Sequence, residues 1–244
     1  MIRTIGHLAI RLLAALFLVV SLQTPAHAEI TENDRSALNE MIKDYILANP
    51  EVLREALIEL GQREERERVQ MAMAMLAQDA GDPILGNPDG KMVIYEFTDY
   101  NCGYCKRVFQ PLQELLAGDA DIKLVVKEFP ILSETSLLAA QAGIAAQAQG
   151  VFTEFHMAMM TARGAISMDS ILDAARSAGA DTDRLQADMN SPAVAAIIDR
   201  TRMAAQALEI SGTPGLVIGS QVIPGAISVE QMREIVAAER AANS

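Results

Sequence analysis

The only two cysteines in the chain have two residues between them, in Cys102-Gly103-Tyr104-Cys105, just beyond an apolar run. That placement limits the fold more than any other feature. Lys91-Met92-Val93-Ile94-Tyr95-Glu96-Phe97 reads as a strand, Lys106 to Ala117 as a helix that Pro111 could kink, and Ile122 to Phe129 as a second strand. Strand, helix, strand in so short a span is a βαβ unit, which joins parallel strands by a right-handed crossover. Cys102 then sits where a strand ends and a helix begins. A thiolate, the attacking species in disulfide exchange, meets unpaired backbone N–H groups and the positive end of the helix dipole there. Lys106 and Arg107 add positive charge nearby. With two residues between them the sulfurs can meet across the first turn, so Cys105 can attack a mixed disulfide on Cys102 and release the partner.

Two other readings of the cysteines are weaker. A structural staple closing so short a loop constrains the unfolded chain little. Zinc wants four ligands, and beyond Ala28 the chain adds only one histidine, His156, far away in sequence and read as a packing or surface residue. No metal and no cofactor is expected, apart from a redox-active Cys102–Cys105 disulfide. The methionines Met71, Met73 and Met75 read as ordinary core or helix flank.

Residues 1–28 carry Arg3 and Arg11 but no acid, then the apolar run Leu12 to Leu22, then Ala26-His27-Ala28. That order reads as a cleaved secretory signal peptide, because the run is well short of the ~20 residues a spanning helix needs. Export to an oxidising compartment follows as an expectation. With 20 Lys and Arg against 32 Asp and Glu, a formal charge of −12, the surface repels phosphate backbones, and no nucleic-acid partner is expected.

Three zones follow. Residues 29–82 read as a helical extension. Leu38, Met41, Ile42, Tyr45 and Ile46 form one apolar stripe, and Val52, Leu53, Ala56, Leu57 and Leu60 a second. Asn49-Pro50 lies between them, with Asn49 as N-cap and Pro50 at the first helical position. Gln62 to Arg68 is polar on every side and reads as a bridge between two parts of the molecule. Residues 83–244 read as one α/β domain, with a helical insert at about 133–210, strands at Leu216-Val217-Ile218 and Val222-Ile223, and a last helix from Val229 to about Ala242.

Two further candidates belong to the cysteine site. Ser211-Gly212-Thr213-Pro214-Gly215 precedes a strand, and beside a C-x-x-C pair this suggests a cis bond at Pro214 that leaves the Thr213 backbone free to pair with an extended substrate. Glu96 lies six residues before Cys102 in an apolar strand. Pointing under the site, it would have a raised pKa and could exchange protons with Cys105.

Tyr95-Glu96-Phe97 through Cys105, then Lys127-Glu128-Phe129-Pro130, then Gly212-Thr213-Pro214, resemble the periplasmic DsbA family of thiol:disulfide oxidoreductases. The resemblance implies a thioredoxin fold with a helical domain inserted between its halves. It also implies an exposed nucleophile at Cys102, a buried Cys105, a cis Pro214 and an acid, Glu96, beneath the site. The dipeptide Gly103-Tyr104 replaces the Pro-His of the DsbA prototype and is the pair found in the isomerase DsbC. Without that imidazole the disulfide is expected to be less oxidising. The extension with Ala48-Asn49-Pro50-Glu51-Val52-Leu53 is similar to the ScsC (suppressor of copper sensitivity) branch, in which it can mediate trimerisation. The implied function is disulfide isomerisation or reduction on exported cysteine-containing proteins, with a membrane redox partner and a homotrimer. The alternatives are a DsbA-like dithiol oxidase and a copper-handling thiol protein.

Overall fold

The computed structural model describes residues 31–242; the expected signal peptide lies outside the described residues. The chain divides into two compact units between Gly61 and Gln62, inside the segment read as the extension.

The first unit holds α1 (Glu32–Ala48) and the beginning of α2 (Pro50–Leu76). Thr31 opens α1 with a capping box: its hydroxyl accepts the Asp34 N–H at 3.2 Å, and the Asp34 carboxylate accepts the Thr31 N–H at 3.0 Å. Asn49 directly precedes Pro50, the first residue of α2, as the sequence reading expects, but its side chain serves the end of α1. Its amide Nδ2 donates at 2.8 Å to the Tyr45 carbonyl, which also accepts the Asn49 backbone N–H at 2.9 Å. No residue of α1 is buried, and Leu38, Met41, Tyr45 and Leu47 are exposed.

No break follows Gly61, since α2 runs on through the polar Gln62–Arg68 stretch to Leu76. Its end is part of the second unit. Ala72 and Leu76 are fully buried among Tyr95, Phe97, Val125 and Leu208, and Arg68 donates to the Ala207 carbonyl and pairs with Glu209 at 3.2 Å.

The second unit is built on β1 (Ile84–Gly86), β2 (Met92–Thr98), β3 (Ile122–Glu128), β4 (Gly215–Ile218) and β5 (Gln221–Pro224), in the order β1-β3-β2-β4-β5. Only β2 and β3 are parallel, joined by α3 (Gly103–Gly118), so the βαβ unit is present. Pro111 lies inside α3 without ending it. Strand β1 was not expected. Three residues are too few for a readable alternation, and the strand exists by pairing with β3. Gly86 ends it at φ +76, where a Cβ would lie 2.7 Å from the Ile122 carbonyl.

Five helices, α4 (Glu134–Ala148), α5 (Phe152–Thr161), α6 (Met168–Ser177), α7 (Thr182–Met189) and α8 (Pro192–Ala207), form the insert between β3 and β4. Helix α9 (Val229–Ala242) closes the described chain. Residues alternate across the sheet. Ile94, Leu124, Val126 and Leu216 pack on Val108 and Leu112 of α3 and Met232 of α9. Tyr95, Phe97, Val125 and Val217 pack on the end of α2 and on Ala204 and Ala205 of α8. The structure thus has the thioredoxin-like architecture with a helical insert.

On the second of these faces Lys127 and Asp82 form a buried ion pair at 2.5 Å, and Arg200 of α8 reaches the same carboxylate at 2.9 Å. Burial draws the Lys127 pKa down, and Asp82 opposes that pull. Removing one partner of a buried pair strands the other charge in a low-dielectric interior. Asp82→Ala should therefore cost about 3–5 kcal/mol of stability, read by urea unfolding, while an exposed acid such as Asp173 replaced by Ala should cost under about 1 kcal/mol.

Candidate active site

Cys102 is the N-cap residue of α3, with extended backbone at φ −79, ψ 115. Its own N–H donates to the Asp99 carbonyl at 2.9 Å, which fixes the turn leaving β2. The Asp99 carboxylate accepts N–H groups from Asn101 at 2.8 Å, Ile131 at 3.0 Å and Leu132 at 3.1 Å. The Asn101 amide reaches Ser133, Thr135 and Ser136, all within 3.1 Å. One acid and one amide thus hold the cysteine turn against the loop that enters the insert.

The two thiols are free and differ in environment. Burial opposes ionisation of Cys102, but the Thr213 hydroxyl and the N–H groups of Cys105 and Tyr104 outweigh it and leave its pKa below the usual thiol value. Those two N–H groups are the ones that an N-cap side chain serves. Burial pushes the Cys105 thiol far up, and the charge of Glu96 adds to the rise. Cys102 is less open than the resemblance implies, at 7% exposure against 0% for Cys105. The reason is Thr213, whose carbonyl accepts the Cys102 S–H at 3.2 Å.

The Thr213–Pro214 peptide bond is cis, as the sequence reading expects. Pairing of Phe97 with Gly215 holds this loop beside the end of β2, and a cleft of about 290 Å³ opens along Ile210 to Gly215 and Val222. The Thr213 hydroxyl is buried beside the two cysteines and lowers the pKa of each. Gly103 and Tyr104 occupy the first turn. The Tyr104 ring is exposed and carries the Arg107 guanidinium 3.9 Å from its centroid. Lys106 donates to the Ala162 carbonyl at 2.8 Å. Both basic side chains are engaged away from the Cys102 sulfur.

Glu96 lies fully buried on the face of the sheet that α3 covers. Burial raises its pKa to about 7, and the Thr98 hydroxyl acts in the opposite direction. Thr98 lowers the Cys105 pKa as well, so one hydroxyl lies beside both groups. Its oxygen is buried, without a hydrogen-bond partner among the described residues.

The sequence reading missed a second buried polar group. The Tyr100 hydroxyl donates to Glu128 Oε1 at 2.9 Å and lies 3.0 Å from His156 Nδ1. His156 is a buried partner of the site's own turn, packed against Phe109 of α3 and Phe152 of α5, and burial lowers its pKa to about 3. Gly143 of α4 makes room for the group, because a Cβ there would lie 2.7 Å from Glu128 Oε1 and 3.0 Å from the Tyr100 hydroxyl. A readable signal existed: Glu128, like Glu96, is an acid at the end of an apolar strand. Among the described residues no group of three or more His, Cys, Asp and Glu could hold a metal ion.

An accessible-by-degree thiol with lowered pKa, a buried partner one turn on, and a cis-proline loop against both define a dithiol site in a thioredoxin-like fold. The chain belongs to the DSBA-like thioredoxin domain family, which it matches over residues 93–237, and residues 34–67 match the copper resistance protein ScsC N-terminal domain. It is similar to a thioredoxin-like oxidoreductase of Silicibacter pomeroyi DSS-3, with 40% identity, 66% of this chain and 93% of that one covered, and TM-score 0.64. It is also similar to ScsC of Proteus mirabilis in a transitional conformation, with 28% identity, 86% and 99% covered, and TM-score 0.67. A curated relative, the Na(+)/H(+) antiporter NhaA of Herminiimonas arsenicoxydans, is 28% identical over 161 residues, or 65% of this chain. The chain spans only 26% of that relative's length. Among the described residues no helix is long and apolar enough to cross a membrane.

The raised Glu96 pKa has a stability consequence. An acid at about 7 when folded and 4.5 when unfolded keeps its proton longer in the native state. Its contribution is intact below pH 4.5 and falls away as pH rises through 7, by about 3 kcal/mol in all. Urea titrations of the reduced protein at pH 5 and pH 8 should show Glu96→Gln gaining stability relative to the parent at the higher pH, and the parent and variant should converge at the lower one.

Proposed function

We propose that the protein is a thiol:disulfide oxidoreductase that exchanges disulfides with exported cysteine-containing proteins in the periplasm through Cys102-Gly103-Tyr104-Cys105. The observation that carries this reading is the asymmetry of the two thiols. Cys102 is drawn toward the thiolate at a helix N-terminus, and Cys105, buried three residues on, is held as the thiol. Cys102 attacks a substrate disulfide, and Cys105 resolves the mixed disulfide. Thr213 and Pro214 border the cleft in which an extended substrate segment would lie. The membership in the DSBA-like family supports the same chemistry.

The direction we favour is isomerisation or reduction, with a membrane partner keeping the cysteines reduced. Two observations support it. No imidazole stands between the cysteines to stabilise the Cys102 thiolate further, and the first unit exposes apolar side chains on α1 and α2 that another copy could cover. A trimer through these helices would bring several active sites to one misfolded substrate.

Cys105→Ser should accumulate mixed disulfides through Cys102 when incubated with an oxidised substrate, whereas Cys102→Ser should give none. Recovery of scrambled ribonuclease then separates an isomerase from an oxidase, which would restore activity only to the reduced unfolded enzyme. A Cu(I) titration with no exchange activity would favour the copper-handling reading instead.

Because Ala72 and Leu76 belong to the core of the second unit, a deletion that tests the extension should end at Gly61. Loss of residues 29–61 should leave thiol exchange at Cys102 intact and reduce scrambled-ribonuclease recovery several-fold. Light scattering should show the mature protein as an oligomer and the shortened one as a monomer. A monomeric parent would overturn the trimer.

A further inference from the structure

Three buried side-chain oxygens in the same layer of the second unit have no hydrogen-bond partner among the described residues: Glu96 Oε1, Thr98 Oγ1 and Glu128 Oε2. The sheet explains why they are together. Glu96 and Thr98 are two residues apart on β2 and share a face, and Thr98 is the register partner of Glu128 on parallel β3. That face is covered by α3, which carries Cys105. Two carboxyls therefore flank one hydroxyl under the resolving cysteine. The remaining oxygen of Glu128 is fixed from the other side, where Tyr100 donates to Oε1 and the Tyr100 oxygen lies 3.0 Å from His156 Nδ1. Buried polar oxygens without partners are rare in folded proteins and call for a physical account.

We propose that Glu96 and Glu128 act as one acid pair in the proton path of Cys105, on either side of the Thr98 hydroxyl, with the Tyr100–His156 arm setting how firmly Glu128 holds its proton. The inference rests on the exchange chemistry proposed above and adds to it a second acid. In the reducing half-reaction a thiolate attacks Cys102 Sγ. A new S–S bond forms, the Cys102–Cys105 bond breaks, and its electron pair goes to Cys105 Sγ. Glu96 gives that sulfur a proton and becomes a carboxylate, while Glu128 keeps its proton, so two adjacent negative charges never form in the interior. Where Glu96 is absent, Glu128 is the remaining buried acid in this layer that can supply the proton to Cys105 and become the carboxylate.

The charges around Glu128 fit this order. Burial raises its pKa well above the carboxylate range. The Tyr100 hydrogen bond works the other way, and Asp99, Glu96 and Asp82 raise it further. From α5 the facing group is neutral His156, beyond the Tyr100 hydroxyl, and from α4 it is Gly143, which carries no side chain. No cation lies among the causes that set Glu128, so the site holds its second proton by desolvation and repulsion. Interacting acids of this kind titrate as a pair, in two steps set far apart.

The test is the pH dependence of reduction of the oxidised protein by dithiothreitol, corrected for the thiolate fraction of the reductant. The parent should lose rate as pH rises through about 7, where Glu96 gives up its proton. In Glu96→Gln that falling limb should move to higher pH, and in Glu96→Gln/Glu128→Gln it should vanish. Tyr100→Phe in the Glu96→Gln background keeps the ring and removes the donor, so it should move the limb higher still. That variant also serves if the double Gln variant does not fold. Identical profiles for Glu96→Gln and the double variant, or a limb unmoved by Tyr100→Phe, would overturn the acid pair. Infrared spectra give a readout free of thiol exchange: a protonated-carboxyl band should persist at pH 8 in Glu96→Gln and disappear with Glu128→Gln. A parent that exchanges no disulfides but shows this band would sink the proposed function and leave the acid pair standing.

Discussion

An α-helix begins with N–H groups that have no partner, and in α3 the residue placed to meet them is a thiol. Much of the site follows from that one position. A serine or aspartate there would have satisfied the helix permanently. Cysteine satisfies it only as the thiolate, so the helix itself favours the reactive state. The same geometry places Cys105 at the third helical position, one turn in and against the core, where ionisation is opposed. Opposite tendencies in two chemically identical groups come from a displacement of one helical turn.

The strand before that helix has the complementary task. Its end must stop in register with β3 and hand the chain to a turn rigid enough to aim Cys102. Asp99 and Asn101 do this with backbone and hydroxyl contacts that reach into the start of the insert. Beneath the turn, acids lie in surroundings that disfavour their charge. Such groups cost stability where they stand, since burial disfavours their charged form.

The parts of this arrangement that sequence disclosed were those written in adjacent residues. The apolar run of β2, the C-x-x-C pair after it, and Thr213-Pro214 before β4 are each a short contiguous pattern, and so is the helix from Val229. What stayed hidden depends on pairs distant in the chain. Strand β1 exists because β3 offers it an edge. The role of Asn49 depended on which of two helices its amide would face, and both answers obey the same propensity. The helical Gln62–Arg68 stretch was legible, and what stayed hidden is that the turns after it, with Ala72 and Leu76, are buried in the core of the second unit. Tyr100, Glu128 and His156 come from three elements spread over fifty-six residues, and only the fold makes them neighbours.

Gly143 sets a limit on how freely the two halves of this unit can be recombined. The insert looks like a module, five helices hung between two strands, and exchange of such modules is an attractive route to new substrate ranges. Yet at one point its first helix approaches the sheet so closely that a single methyl group would collide with Glu128 and Tyr100. A transplanted insert would have to bring a glycine at that position, or the host would have to give up its buried acid. The two halves are therefore fitted to one another at this point by an absent side chain, in addition to the hydrogen bonds that join Asn101 and Lys106 to the insert.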